Sequence, residues 1–182
     1  MTSAQKLLGE VLDALTGAGW AATIDQLKVP VYLTDTEGSV TYWNRACADF
    51  AGREPELGRD RWCVTWKLFT TAGDPLPHDA CPMAIAIKQQ RAVRSAVAIA
   101  ERPDGTRRAF TPYPTPLYDD AGKLTGAVNM LLDISTEQGI ELRAQADRCR
   151  RLAKGVTDAQ ASRVLDAMAI GYERSAASLS QG

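Results

Sequence analysis

The apolar residues of the first segment fall on one helical face. Leu7, Leu8, Val11, Leu12 and Leu15 recur at three- and four-residue spacing until Gly17 and Gly19 interrupt them. A helix this short is marginal alone in water, so the stripe should pack on the rest of the chain or on a partner. A second short helix over residues 21–27 leads to Val29-Pro30. The period then changes to two. Residues 31–35 (VYLTD) read as a strand, Thr36-Glu37-Gly38-Ser39 as a turn and Val40–Trp43 as the returning strand. Asn44 is a good N-cap for a helix over Arg45–Ala51, which Gly52 ends.

Residues 53–77 hold Trp62, Trp66 and Phe69 without a clean period, and short helices and loops are expected there. Asp79 should cap a helix reaching about Gln90, with Pro82 in its first turn and Met83, Ala84 and Ile87 on its apolar face. Residues 93–101, 107–117 and 124–134 read as three strands joined by turns at Pro103-Asp104-Gly105 and Asp119-Asp120-Ala121-Gly122. Pro112, Pro114 and Pro116 alternate, so all three lack a donor toward the same edge, while Thr111, Tyr113 and Thr115 can pair the other way. The sheet should splay beside them. Leu142, Ala146, Cys149, Leu152 and Ala153 form a helical face ending near Gly155. Thr157-Asp158 then caps a second helix carrying Ala161, Leu165, Met168 and Tyr172, and the short link makes the two an antiparallel hairpin. The order predicts an α+β domain: a five-stranded antiparallel sheet with helices on one face. The expected division is 1–19 (N-terminal helix), 20–135 (sheet domain) and 136–182 (helical hairpin).

Composition narrows the function classes. The chain has 182 residues, 45% of them hydrophobic, enough for a real core. A net charge of −1 gives no broad field for nucleic acid, and no apolar run is long enough to span a bilayer, so a cytoplasmic protein without nucleic-acid or membrane partners is expected. Cys47, Cys63, Cys81 and Cys149 are scattered without a CxxC pair, which disfavours a metal or disulfide framework.

Several motifs in order resemble the PAS family. VPVYLTDTEGSVTYWNRACADFAG is similar to its opening hairpin and first helix, with Asp35, Gly38 and Asn44 on the usual framework. Leu57-Gly58-Arg59-Asp60 resembles the step after the second short helix. PDGTRRAFTPYPTPLYDDAGKLTGAVNMLLDIS resembles the three closing strands. The likeness covers about residues 22–135. LPHDACPMAIAI resembles a variant found in bacterial signalling chains, often ahead of histidine kinases. Kinase activity is not carried over, since the chain has no ATP-binding segment and its one histidine, His78, sits beside prolines.

The resemblance implies a non-catalytic sensory module that binds a small ligand or a protein partner, forms a homodimer and relays through its terminal helices. A ligand-free dimerisation protein is the alternative. The interior candidates are Tyr32, Phe50, Trp62, Trp66, Met83, Ile87, Phe110, Asn129 and Leu131. Asn129 stands out because a polar side chain inside an apolar strand needs a partner. Flavin of the photoreceptor type is disfavoured, because the Asn-Cys-Arg motif is absent where the chain reads Gly58-Arg59-Asp60-Arg61-Trp62-Cys63. A heme sensor using His78 or Cys81 is the sharper cofactor alternative. No cofactor is otherwise expected. No catalytic residue is assigned: His78 and Cys81 at a loop-to-helix junction are no triad.

Overall fold

The computed structural model describes residues 2–179. Helix α1 (Ser3–Leu15) opens on a reciprocal cap. The Gln5 N–H donates to the Thr2 hydroxyl, and the Thr2 N–H donates to the Gln5 side chain, so two amides left over at the helix start find acceptors. Leu8 and Val11 are buried, and helix α2 (Trp20–Asp25) adds Ile24. They pack with Val31, Val128 and Met130 in one cluster. The leucine stripe therefore covers the sheet of its own chain, on the outer face.

The sheet has seven antiparallel strands: β1 (Val31–Thr34), β2 (Val40–Trp43), β3 (Lys67–Phe69), β4 (Ala98–Glu101), β5 (Arg107–Pro112), β6 (Thr115–Tyr118) and β7 (Leu124–Asp133). Their order is β2-β1-β7-β5-β4-β3, with β6 also on β7. The five expected strands are present, with two changes. β3 adds an edge beside β4 where loops were expected, pairing Lys67 with Glu101. The fourth strand breaks into β5 and β6 at its prolines. Thr111 and Thr115 pair with β7, and the Tyr113 N–H donates to the Met130 carbonyl, whereas β4 reaches only Phe110. The sheet splays as the alternating prolines require. Arg94 closes the opening by donating to the Pro114 carbonyl at 2.9 Å and the Thr115 hydroxyl at 2.9 Å.

Helix α3 (Arg45–Ala51) begins at Asn44 and ends at Gly52. A 3₁₀ turn at His78–Ala80 precedes helix α4 (Pro82–Gln89). This corrects the expected cap: the turn takes up Asp79, and Cys81 is the N-cap residue. The inner face of the sheet packs against α3 and α4 through Tyr32, Cys47, Phe50, Met83, Ile87, Phe110 and Leu131. β7 runs almost without a break into helix α5 (Ser135–Gly155), and α6 (Ala159–Ser178) returns antiparallel to it. Ala146, Cys149 and Ala169 fill the seam of this hairpin, and Arg150 pairs with Glu173 beside it. The end of α6 comes back to the sheet, where Leu179 packs with Ile99 and Ala109. No described helix is long and apolar enough to cross a membrane.

Candidate functional site

The inner face of the sheet carries one buried polar chain. Tyr32 and Asn129 are register partners on β1 and β7. The Asn129 amide nitrogen donates to the Tyr32 hydroxyl at 3.0 Å, and that hydroxyl donates to the Trp62 carbonyl at 2.9 Å. The Asn129 oxygen accepts from the Tyr113 N–H at 2.9 Å, at the break between β5 and β6. The partner that Asn129 needs is thus supplied by the protein. Burial is the main cause that raises the Tyr32 pKa well above its ordinary value, so this phenol stays neutral and can donate.

Cys63 and Cys81 sit beside this chain. The Cys63 thiol lies 3.1 Å from the Thr65 hydroxyl, and the Cys81 thiol faces the Trp62 carbonyl at 3.7 Å. Burial raises the Cys63 thiol and pushes Cys81 up to about 12, despite a position where a helix start favours thiolate. Neither is an activated nucleophile. Trp62 turns through φ 67°, in the left-handed region that bulky residues rarely adopt. Its ring lies over Gly38, where a Cβ would meet it at 2.3 Å. Glycine at the tip of the first hairpin is required by this close approach as well as by its own φ of 85°.

Eight of the nine interior candidates meet on this face. Tyr32, Phe50, Met83, Ile87, Phe110, Asn129 and Leu131 are buried, Phe50 and Phe110 edge to face with centroids 5.4 Å apart, and Trp62 is half-buried at the rim. Trp66 is a correction: it is 44% exposed, outside the core, with the Lys67 ammonium 4.0 Å from its ring centroid. Sequence reasoning placed it inside because it is aromatic, but β3 begins next to it and turns it to solvent.

The two heme candidates face different surroundings. His78 lines an outer groove with Trp66, Phe69 and Pro75. Its pKa is lowered, mainly by burial and against the pull of Asp60. Cys81 is buried on the inner side. On the inner side, the Tyr32 and Asn129 polar groups are hydrogen-bonded to each other. Among the described residues, no group of three or more His, Cys, Asp or Glu could hold a metal ion.

Two features escaped sequence reasoning. Asn44 does more than cap α3. Its oxygen accepts from the Val31 N–H at 3.0 Å, and its nitrogen donates to the Ile24 and Val29 carbonyls at 3.1 and 3.0 Å, which ties the α2–β1 connector to the sheet. The second feature is the root of α5. The Asp133 carboxylate accepts from the Arg108 guanidinium at 2.6 Å, from the Ser135 N–H at 2.9 Å and from the Ser135 hydroxyl at 2.6 Å. That hydroxyl accepts in turn from the Ala109 N–H at 3.0 Å. The last strand is thereby locked to the first turn of the hairpin. Beside this lock a cleft of about 520 Å³ opens between the α2–β1 connector, α3 and the ends of β5 and β7.

A sheet whose inner face packs against α3 and α4, with its central strand running into α5, defines an α+β domain with one polar chain inside its core. The family described as PAS fold matches residues 24–139, and the chain belongs to that family. No curated protein matches it. Among solved structures, a Rhodobacter sphaeroides LOV protein aligns at 17% identity with TM-score 0.51, over 96% of this chain and 94% of its own. An RNA-binding light-oxygen-voltage receptor aligns at 18% identity with TM-score 0.49, over 85% of this chain and 36% of its own, so this chain spans about a third of that receptor. The LOV domain of a blue-light activated histidine kinase from Erythrobacter litoralis aligns at 22% identity with TM-score 0.46, over 60% of this chain and 98% of its own.

Proposed function

We propose that this chain is a non-catalytic signal-sensing module, in which a bound small molecule or partner acts on the sheet and the α5–α6 hairpin carries the change onward. The PAS fold supports sensing as the class of function. One observation supports the relay: β7 holds Asn129 and Leu131 in the inner core and Val128 and Met130 in the outer cluster, then enters α5 through the Asp133–Ser135 lock. A displacement of β7 reaches the hairpin with no flexible link between them. The hairpin then shifts between two arrangements, and a ligand moves that balance only as far as it binds one better than the other.

The tryptophans provide a test. Trp20, Trp43, Trp62 and Trp66 all precede α5, so their fluorescence reports the sheet domain, while α5 and α6 supply 21 and 20 residues of helix to the far-ultraviolet circular dichroism. Coupled units give coincident thermal transitions by the two probes. Asp133→Asn should separate them. Separate transitions in the unaltered protein would overturn the relay.

A second reading is favoured by the hairpin surface. Leu152, Val156, Val164 and Met168 are exposed there, 51, 37, 54 and 45%. Such residues suit a homodimer seam. Light scattering should show a dimer that Met168→Glu dissociates; a monomer at high concentration removes this reading.

A further inference from the structure

The cleft at the root of α5 contains donors that the protein leaves unanswered. We infer that it is a binding site for a small carboxylate with an apolar body, separate from the sheet interior. Its walls are apolar at Leu27, Pro30 and Phe50. Three cations and three carboxylates border it: Lys28, Arg45 and Arg108, with Asp25, Asp49 and Asp133. Each carboxylate has a partner. Asp25 accepts from the Tyr42 hydroxyl at 2.7 Å, Asp49 pairs with Arg45 at 3.4 Å, and Asp133 holds Arg108 and Ser135. The cations are less well matched. Among the described residues, Lys28 has no ion pair or hydrogen bond. Arg108 has an acceptor on one nitrogen only, Nη1, and its Nε is buried with none.

An unanswered buried donor costs on the order of 1–3 kcal/mol and is uncommon in native structures. The Arg108 guanidinium lines the cleft and is held at Nη1 by Asp133; its Nε is buried, and its Nη2, without an acceptor among the described residues, is the charged donor left for a carboxylate. Lys28, exposed on the cleft wall, adds charge attraction, and the half-buried Leu27 gives an apolar body a surface to cover. Every acid in the cleft has a partner, while among the described residues Lys28 has none and Arg108 keeps Nη2 open beside its ion pair with Asp133, so the group that fits is an anion.

The site deepens the sensory reading and rests on it for its consequence. Its Arg108 is one ion pair from the first turn of α5, so a carboxylate there acts on the Asp133–Ser135 lock directly.

The test is a titration of the full chain with benzoate, followed by amide and side-chain NMR shifts, with benzyl alcohol as the neutral match. Saturable shifts at Lys28, Ala46 and Arg108 are expected with benzoate. Lys28→Gln, an exposed change that leaves the core intact, and Arg108→Lys, which keeps a charge for Asp133 but loses the Nη2 donor, should each weaken binding by about tenfold. No saturation, equal shifts with benzyl alcohol, or unchanged affinity in both variants would overturn the site. Saturable binding with shifts confined to the cleft upholds the site but counts against the relay; shifts that reach Ser135 and Gln138 support both.

Discussion

The sheet interior and the cleft at the root of α5 are both lined by polar groups at the edge of an apolar core, yet they balance differently. In the interior the donors of the central chain are matched, Tyr113 N–H to Asn129, Asn129 to Tyr32 and Tyr32 to the Trp62 carbonyl, while the buried Thr34 hydroxyl on β1 has no partner among the described residues. In the cleft, among the described residues, Lys28 is unpaired and Arg108 is answered at a single nitrogen. The difference teaches that a buried polar residue in a core strand can be structural mortar, and that an unpaired charge beside a cleft is the better pointer to a ligand. Asn129 looked like the pointed residue in the sequence, and the structure makes it a cross-strand tie.

That contrast can be broken by mutation. The largest effect is expected at Asn129→Ala, which empties a buried site and removes one of the two partners of both the Tyr32 hydroxyl and the Tyr113 amide. A loss of about 2–3 kcal/mol should appear in urea unfolding. Loss below 0.5 kcal/mol would mean the chain of bonds is ornamental.

A next effect is alkaline. Burial holds Cys81 at about 12 against an ordinary 9.0, with Cys47 and Cys63 also raised by burial. Above pH 9 the unfolded thiols ionise while the folded ones cannot, so the unfolded state binds fewer protons and stability falls as pH rises from 9 toward 12. Equilibrium unfolding at pH 7, 9 and 10.5 should show the decline, and Cys81→Ser should flatten part of it. A flat profile would show these thiols to be solvated. The same burial predicts that Cys47, Cys63 and Cys81 react slowly with a thiol reagent in the native protein and fully after unfolding.

The smallest stability effect is expected in the cleft. Lys28→Gln and Arg45→Gln should each change unfolding free energy by less than about 0.5 kcal/mol, as exposed charges do. A larger loss in either would move the cleft into the class of the interior.

How far the sequence could be read follows from which contacts are local. The first hairpin and α3 were legible because Asp35, Gly38, Asn44 and Gly52 act within a few residues of themselves. The splay at Pro112, Pro114 and Pro116 was legible because it depends on missing donors. β3 was not, since three residues, Lys67–Phe69, become a strand only by pairing with β4, 34 positions from Lys67 to Glu101. The cap of α4 was misplaced because a 3₁₀ turn absorbed Asp79. Lys28 and Arg108 stand far apart in the chain and meet only in the folded protein, so the cleft had no sequence signature.

The relay from core to hairpin is the central claim, and residue-resolved amide exchange tests it most directly. Tyr32→Phe removes one hydroxyl from the buried chain and leaves the fold. Faster exchange is expected along β7 and into the first two turns of α5, and Ser135→Ala should abolish the α5 part. Exchange that changes only in β1 and around Trp62, with α5 untouched, would contradict it.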